Sequence, residues 1–314
     1  MNRASRSVTV LVLALLAAGT LPPAFAAPDS GTAAAKPEDV AVAGTGQAMP
    51  AENPSGEPST PSLKPLWEFG LGPAALILRD YRGADTSHAY PLPAPYFVYR
   101  GTFLQADRDG LKGKIFDQKL VELHISASAT PPVRQNAARS GMPDLKPTVE
   151  IGPAFDTRLW RSSEDRVKFD FILSARAAFS VESSPRMVGW LIDPHLNVDI
   201  SDPFGHAGWK LGLLAGPLFA DRRYDAYFYA VEPQYATAER PAYEPKGGYA
   251  GTQFLTSLTK RFPRYWVGSY VRYDTLSGAA FAGSPLVKEK SYWSAGVAVA
   301  WMITQSTHLV EANE

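Results

Sequence analysis

The sequence predicts an all-β protein: a closed antiparallel transmembrane β-barrel of ten to twelve strands, behind a signal peptide and a disordered leader. Three observations predict it. The first is VKFDFILSARAAFSVE, residues 167–182, where Val167, Phe169, Phe171, Leu173, Ala175, Ala177, Phe179 and Val181 alternate with Lys168, Asp170, Ile172, Ser174, Arg176, Ala178, Ser180 and Glu182. Period two is a strand with an apolar face and a charged face. The second is length, since strands of soluble domains run roughly 5 to 6 residues, whereas a tilted strand needs roughly 9 to 11 to cross a bilayer. The third is the placement of tryptophan at 67, 160, 190, 209, 266, 293 and 301, mostly within two residues of a strand end, as two interfacial girdles require.

Taken in order, residues 1–26 carry Arg3 and Arg6, an apolar run from Ser7 to Gly19, and Ala24-Phe25-Ala26 as a small-x-small cleavage site. That is a secretory signal peptide. No cysteine follows it, so the chain is not a lipoprotein. Residues 27–65 are rich in Ala, Pro, Gly, Ser and Thr and hold no aromatic residue. Such a leader cannot bury enough apolar surface to offset its chain entropy and is read as disordered periplasmic chain. The barrel is assigned to 66–303 and a C-terminal tail to 304–314.

Within the barrel the clearest strands are 149–160, 167–181, 188–200, 209–219, 265–274 and 292–303. Less regular candidates are 67–78, 95–106, 111–116, 119–128, 224–231 and 249–260, which sets the upper bound of twelve. With no water in hydrocarbon to satisfy backbone groups, such strands must close on themselves. The lipid-facing row then includes Val167, Phe169, Phe171, Leu173, Phe179, Val188, Trp190, Ile192, Leu196 and Val198. The enclosed row includes Glu150, Asp156, Arg158, Lys168, Asp170, Arg176, Asp193, His195, Asp199, Lys210 and Arg272. Both signs are present, which favours a plug of paired charges over a selective pore, where a ring of one sign is expected. Gly72-Pro73, Gly152-Pro153 and Gly216-Pro217 interrupt three segments and predict bulges or kinks.

Composition excludes several functions. Cysteine is absent, which removes disulfides, thiolate metal sites and a cysteine nucleophile. The charge is 31 basic against 31 acidic residues, and loss of Arg3 and Arg6 leaves it slightly negative, so nucleic acid is not an expected partner. His88, His124, His195, His206 and His308 show no ligand spacing, and no metal or cofactor is expected. His195 with Asn197 could serve a barrel lipid hydrolase, yet no G-x-S-x-G accompanies them, and enclosed polar residues are the simpler reading. The protein is expected not to be an enzyme.

Three blocks carry a resemblance: GLGPAALILRDYRGAD (70–85) with YPLPAPYFVYRG (90–101), YFYAVEPQYA (227–236) with RPAYEPKGG (240–248), and YDTLSGAAFAGSPLVKEKSYWSAGVAVAW (273–301). Together they resemble the MipA/OmpV family, the MltA-interacting proteins of the Gram-negative outer membrane. The motif positions are Asp80, Tyr81, Gly83, Asp85, Pro241, Tyr243, Ser277, Gly278, Ser284 and Pro285. The resemblance implies a non-catalytic scaffold that brings a murein lytic transglycosylase together with a peptidoglycan synthase; solute channel and adhesin are the alternatives. Outer-membrane lipid and lipopolysaccharide would surround it. If the N-terminus is periplasmic and the strands number twelve, loops 80–90 and 231–248 lie outside the cell, and residues 129–146, the leader and the tail are the candidate periplasmic surfaces.

Overall fold

The computed structural model describes residues 11–12, 62–100, 104–107, 110–113, 117–118, 121–164 and 166–312. The rest of the signal peptide and of the leader, apart from Leu11, Val12 and its last four residues, lies outside the described residues. The architecture is all-β and antiparallel. Its strands are β1 (Trp67–Arg79), β2 (Ser87–Arg100), β3 (Leu104–Asp107), β4 (Gly110–Gly113), β5 (Val121–Thr130), β6 (Thr148–Arg161), β7 (Val167–Ser180), β8 (Met187–Ser201), β9 (Trp209–Ala220), β10 (Gly248–Arg261), β11 (Tyr265–Thr275) and β12 (Ser291–Gln305). Neighbours in sequence pair throughout β5 to β12, β12 returns to β1, and β1 pairs β2.

The seam from β2 to β5 is thin. β2 meets β3 at Tyr99↔Ala106 and Arg100↔Gln105, β3 pairs β4, and β4 meets β5 at Leu111↔Ile125. Above that seam Leu11–Val12 lies beside Tyr96 and Phe97. The proline spacing of β2 suits this edge. Pro73 pairs with Pro93, and neither can donate, so ladder bonds to β1 come from the alternate residues and the nitrogens of Pro91, Pro93 and Pro95 face the seam. An edge without donors is a poor template for stray pairing.

Among the described residues these twelve belong to a sheet of fourteen strands, Leu11–Val12 and Asp117–Gln118 being the other two, and the division differs from the one expected from sequence. Residues 224–231 are not a strand: Arg222–Tyr229 is a helix, α1, capped by Asp221, whose side chain accepts from the Tyr224 amide. The candidate 95–106 instead spans the end of β2 and β3, and β2 itself begins at Ser87. The leader boundary also moves, because Ser62–Pro65 pairs with Leu309–Ala312 of the tail.

Each Gly-Pro produces the same local change. At β6 the ladder to β7 breaks between Ala154↔Ser174 and Ile151↔Ala177, while Pro153 still pairs with Ile125 on its other side. A Cβ on Gly152 would sit 1.9 Å from the Ala175 carbonyl oxygen, so only glycine lets the two backbones meet there. Gly72 meets the Val299 carbonyl and Gly216 the Pro194 carbonyl in the same way.

Burial is inverted relative to a soluble sandwich. Glu150, Asp170, Ser174, Arg176, Asp193, His195 and Asp274 are buried, whereas Phe155 is 49% exposed, Trp160 56%, Ile192 47% and Trp301 52%. The wall therefore encloses its charged face and presents its oily one. Loops 80–86, 131–147, 221–247 and 276–290 all leave the same end, and there they fold into a cap with its own core, including Tyr81, Val133, Tyr224, Phe228, Tyr229, Leu276, Phe281 and Leu286. Residues 129–146 thus lie at the end opposite the terminal ladder of 62–65 with 309–312, not beside it, because β5 runs from the terminal end toward the cap.

Candidate functional site

The enclosed face sorts its side chains by position along the strands. Toward the cap, Arg176 of β7 is the hub. Its Nε donates to Glu150 Oε2 at 3.2 Å, and its Nη1 donates to Ser174 Oγ at 2.8 Å, Ser126 Oγ at 3.3 Å and Asp193 Oδ2 at 3.4 Å. Asp193 also faces His195 Nδ1 at 3.2 Å and accepts from Gln253 Nε2 at 3.2 Å. One guanidinium answering two carboxylates is how buried charge is tolerated. Arg272 donates to Asp274 Oδ2 at 2.8 Å.

The cap is tied into this cluster from above. Tyr224 of α1 donates its hydroxyl to Glu150 Oε1 at 2.9 Å, and burial holds that hydroxyl well above its ordinary titration range, so it stays a donor. Arg82, from loop 80–86, donates to the Ala250 carbonyl at 2.6 Å, to Asp274 Oδ1 at 3.1 Å and to the Tyr292 hydroxyl at 3.3 Å. Tyr229 donates to the Arg82 carbonyl at 2.9 Å and stacks on Phe281 with centroids 3.7 Å apart.

Toward the terminal end the second cluster holds Arg158 with Asp170 at 3.7 Å, Asn197 donating to Asp199 at 2.9 Å, and Arg261 donating to Glu68 at 2.7 Å. Asp156, Lys168 and Lys210 project from the same enclosed face and are partnered. The eleven charged or polar residues expected to form one array therefore form two. Between them lies a cavity of about 480 Å³ bordered by Leu76, Ile172, Leu214, Leu255 and Trp266.

On the outer face Phe169 pairs with Val198, Phe171 with Leu196, Ala175 with Ile192 and Ala177 with Trp190, and Leu173 and Phe179 are exposed on the same row as Val167. Val188 departs from that row. The β7–β8 register shifts between Ala178 and Phe179, and Val188 turns into the cap core at 4% exposure. Gly189 next to it has φ +155, and a Cβ there would lie 2.3 Å from Asp221 Oδ1. Trp266 is a second departure: it is 4% exposed and packs on Tyr96 at 5.8 Å on the enclosed side, not in a girdle.

The motif residues are cap residues. Asp80 accepts from Asn136 at 2.7 Å and faces His88 at 3.0 Å; Tyr81 donates to the Leu286 carbonyl at 2.9 Å; Gly83, at φ +88, accepts from the Lys288 and Glu289 amides. The Asp85 carbonyl accepts from Arg79 at 2.6 Å. Tyr243 bridges Val231, and Pro241 is exposed beside it. Ser277 and Gly278 form an exposed turn, Ser284 donates to the Tyr229 carbonyl at 2.8 Å, and Pro285 is half-buried. Sequence reasoning missed Arg82, Tyr224, Gln253 and Tyr292 as partners of the enclosed charges. For Tyr224 the signal was present in Asp221 as an N-cap with aromatic residues three, seven and eight positions on. Among the described residues no group of three or more acidic or histidine side chains could hold a metal, and no helix is long and apolar enough to cross a membrane.

An antiparallel sheet with a charged enclosed face, an apolar exposed face and a cap of loops at one end defines an all-β protein laid out as outer-membrane strand proteins are. Within that class the chain belongs to a particular family, since the family described as MltA-interacting protein MipA matches residues 71–303. No curated protein matches the sequence. The solved structure of the Ralstonia pickettii toluene transporter TbuX aligns over 78% of this chain and 71% of that chain, with 9% identity and a TM-score of 0.23, a likeness too slight to bear on fold or function.

Proposed function

We propose that the protein is a non-enzymatic outer-membrane barrel, closed through the β2–β5 seam, that holds a lytic transglycosylase of the MltA type and a peptidoglycan synthase at the periplasmic face. Membership of the MipA family is the observation that carries the partner. The exposed apolar row supports the lipid surroundings, including lipopolysaccharide on the outer side, because a soluble chain would not leave Phe155, Ile192, Val297 and Trp301 in water. The termini and turns 162–166, 202–208 and 262–264 form the periplasmic end in this reading.

One feature of that end suits a docking role. Phe204 in the turn after β8 is 93% exposed, and both it and Asp202 hold positive φ, 56° and 53°. Two non-glycine residues in the left-handed region cost energy that packing of the ring does not return. A photoreactive phenylalanine analogue at Phe204 is expected to crosslink a transglycosylase in intact cells. Crosslinks only from cap positions such as Tyr235 would overturn the periplasmic assignment. The Arg176 cluster and the cap obstruct the lumen, so planar bilayers holding the purified protein are expected to stay electrically silent. Steady unit conductance would favour the solute channel instead.

A further inference from the structure

We propose that the cavity between the two charged clusters is a binding site for a small, uncharged, mainly aromatic molecule carrying one hydrogen-bonding group. An enclosed face that only plugged a barrel would be charged along its length. Here the charged groups are withdrawn to both ends, and the stretch between them holds apolar side chains with a few uncharged polar ones such as Asn197, Ser257 and Thr259. Along β7 the order is Lys168, Asp170, Ile172, Ser174, Arg176; along β10 Leu255, Ser257 and Thr259 lie between Gln253 and Arg261, and along β11 Gly268 and Tyr270 lie between Trp266, which pairs with Arg261, and Arg272, which pairs with Leu255. Ile172, Leu214, Leu255 and Trp266 border a space of about 480 Å³. That volume lies within the range of roughly 300 to 1,000 Å³ that holds small ligands, mostly apolar with few polar groups.

The chemistry of the occupant follows from the lining. An ion would leave water for a region whose own charges are already paired, Arg176 with Glu150 and Asp193, Arg261 with Glu68. Flat rings have matching surfaces in Trp266 and Tyr270, and Trp266 lies against the β11 backbone because a Cβ on Gly268 would come within 2.2 Å of its ring. A single polar group finds His195 and Asn197 on the lining; His195 uses Nδ1 on Asp193, which leaves its other nitrogen for a ligand. The inference is independent of the scaffold role, since it concerns the lumen and not the periplasmic end.

The test uses the full-length mature protein in dimyristoyl phosphatidylcholine vesicles with 1-aminoanthracene, three fused rings bearing one amino group, followed by energy transfer from tryptophan. Saturable binding of one probe per chain is expected. Ala298→Phe and Ser257→Phe, which fill the cavity from two strands, should each weaken it at least tenfold. Thr256→Phe, on the outer row of β10, should leave it unchanged, and heat-shifted gel migration reports that each variant is folded. Non-saturable uptake, or equal binding by both cavity-filling variants, would overturn the proposal. Saturable binding in a short-chain detergent but none in vesicles would mean that a lipid chain fills the space, and would overturn it equally.

Discussion

Arg176 is the guanidinium shared by Glu150, which also accepts from Tyr224, and Asp193, which also meets His195 and Gln253, so its removal takes from both buried carboxylates the cation that pairs with them. Breaking a buried pair from one side costs about 3 to 5 kcal/mol. Arg176→Met is therefore expected to lower the urea midpoint of the refolded protein by that equivalent, and Arg176→Met with Glu150→Gln and Asp193→Asn should recover most of it. Asp225 on α1 behaves oppositely. It is fully buried, neither carboxylate oxygen has a hydrogen-bond partner, and burial, reinforced by Asp221, pushes it up to about 7. The open cap releases that proton near pH ~4 while the closed cap keeps it, so cap stability is fullest below pH ~4, declines with a slope of up to about 1.4 kcal/mol per pH unit to pH ~7, and is flat above. Hydrogen exchange of the α1 amides, corrected for intrinsic rates, should show this slope, and Asp225→Asn should abolish it. Period two sufficed to place Glu150, Arg176, Asp193 and His195 on one face. It could not reveal Arg82 or Tyr224, because loop residues reach their partners through tertiary folding that no local repeat encodes.

At the scale of elements, the three Gly-Pro pairs make one device used on β1, β6 and β9. The glycine admits a neighbouring carbonyl, and the proline gives up a donor where the ladder has already parted. Gly152→Val should block the approach of β7 and reduce the yield of heat-shifted, folded protein severalfold, whereas Gly283→Ala, in an exposed turn where a Cβ would meet nothing nearer than 3.8 Å, should change it little. Long alternating strands were legible because a wall with two unlike solvents imposes the same period throughout. The helix α1 was not, since eight residues with tyrosines at 224, 227 and 229 read as readily as a strand until Asp221 is recognised as their cap. Val188 was misplaced for a different reason: one bulge reverses the faces beyond it, and nothing in the alternation announces the bulge except Gly189.

For the whole molecule, counting strands decides which loops share an end, and an error in that count transfers a loop from one side of a membrane to the other. Residues 129–146 moved to the cap in this way, where Arg139 donates to the Phe228 carbonyl at 2.9 Å and Arg240 reaches the Ala138 and Ser140 carbonyls. The cap is built from four loops around one shared core, while the opposite end presents short turns and the paired terminal strands. The claim on which membrane location, partner side and lumen site all depend is that hydrocarbon surrounds the apolar row and protein encloses the charged one. The chain has no cysteine, so single cysteines can be introduced without background. Spin labels at Phe155, Ile192 and Leu196 in reconstituted vesicles should collide with oxygen and be sheltered from a water-soluble nickel chelate, while labels at Ser174 and Asp193 should show no lipid contact. Oxygen contact at Ser174 and Asp193, with Phe155 and Ile192 open to the chelate, would contradict the account.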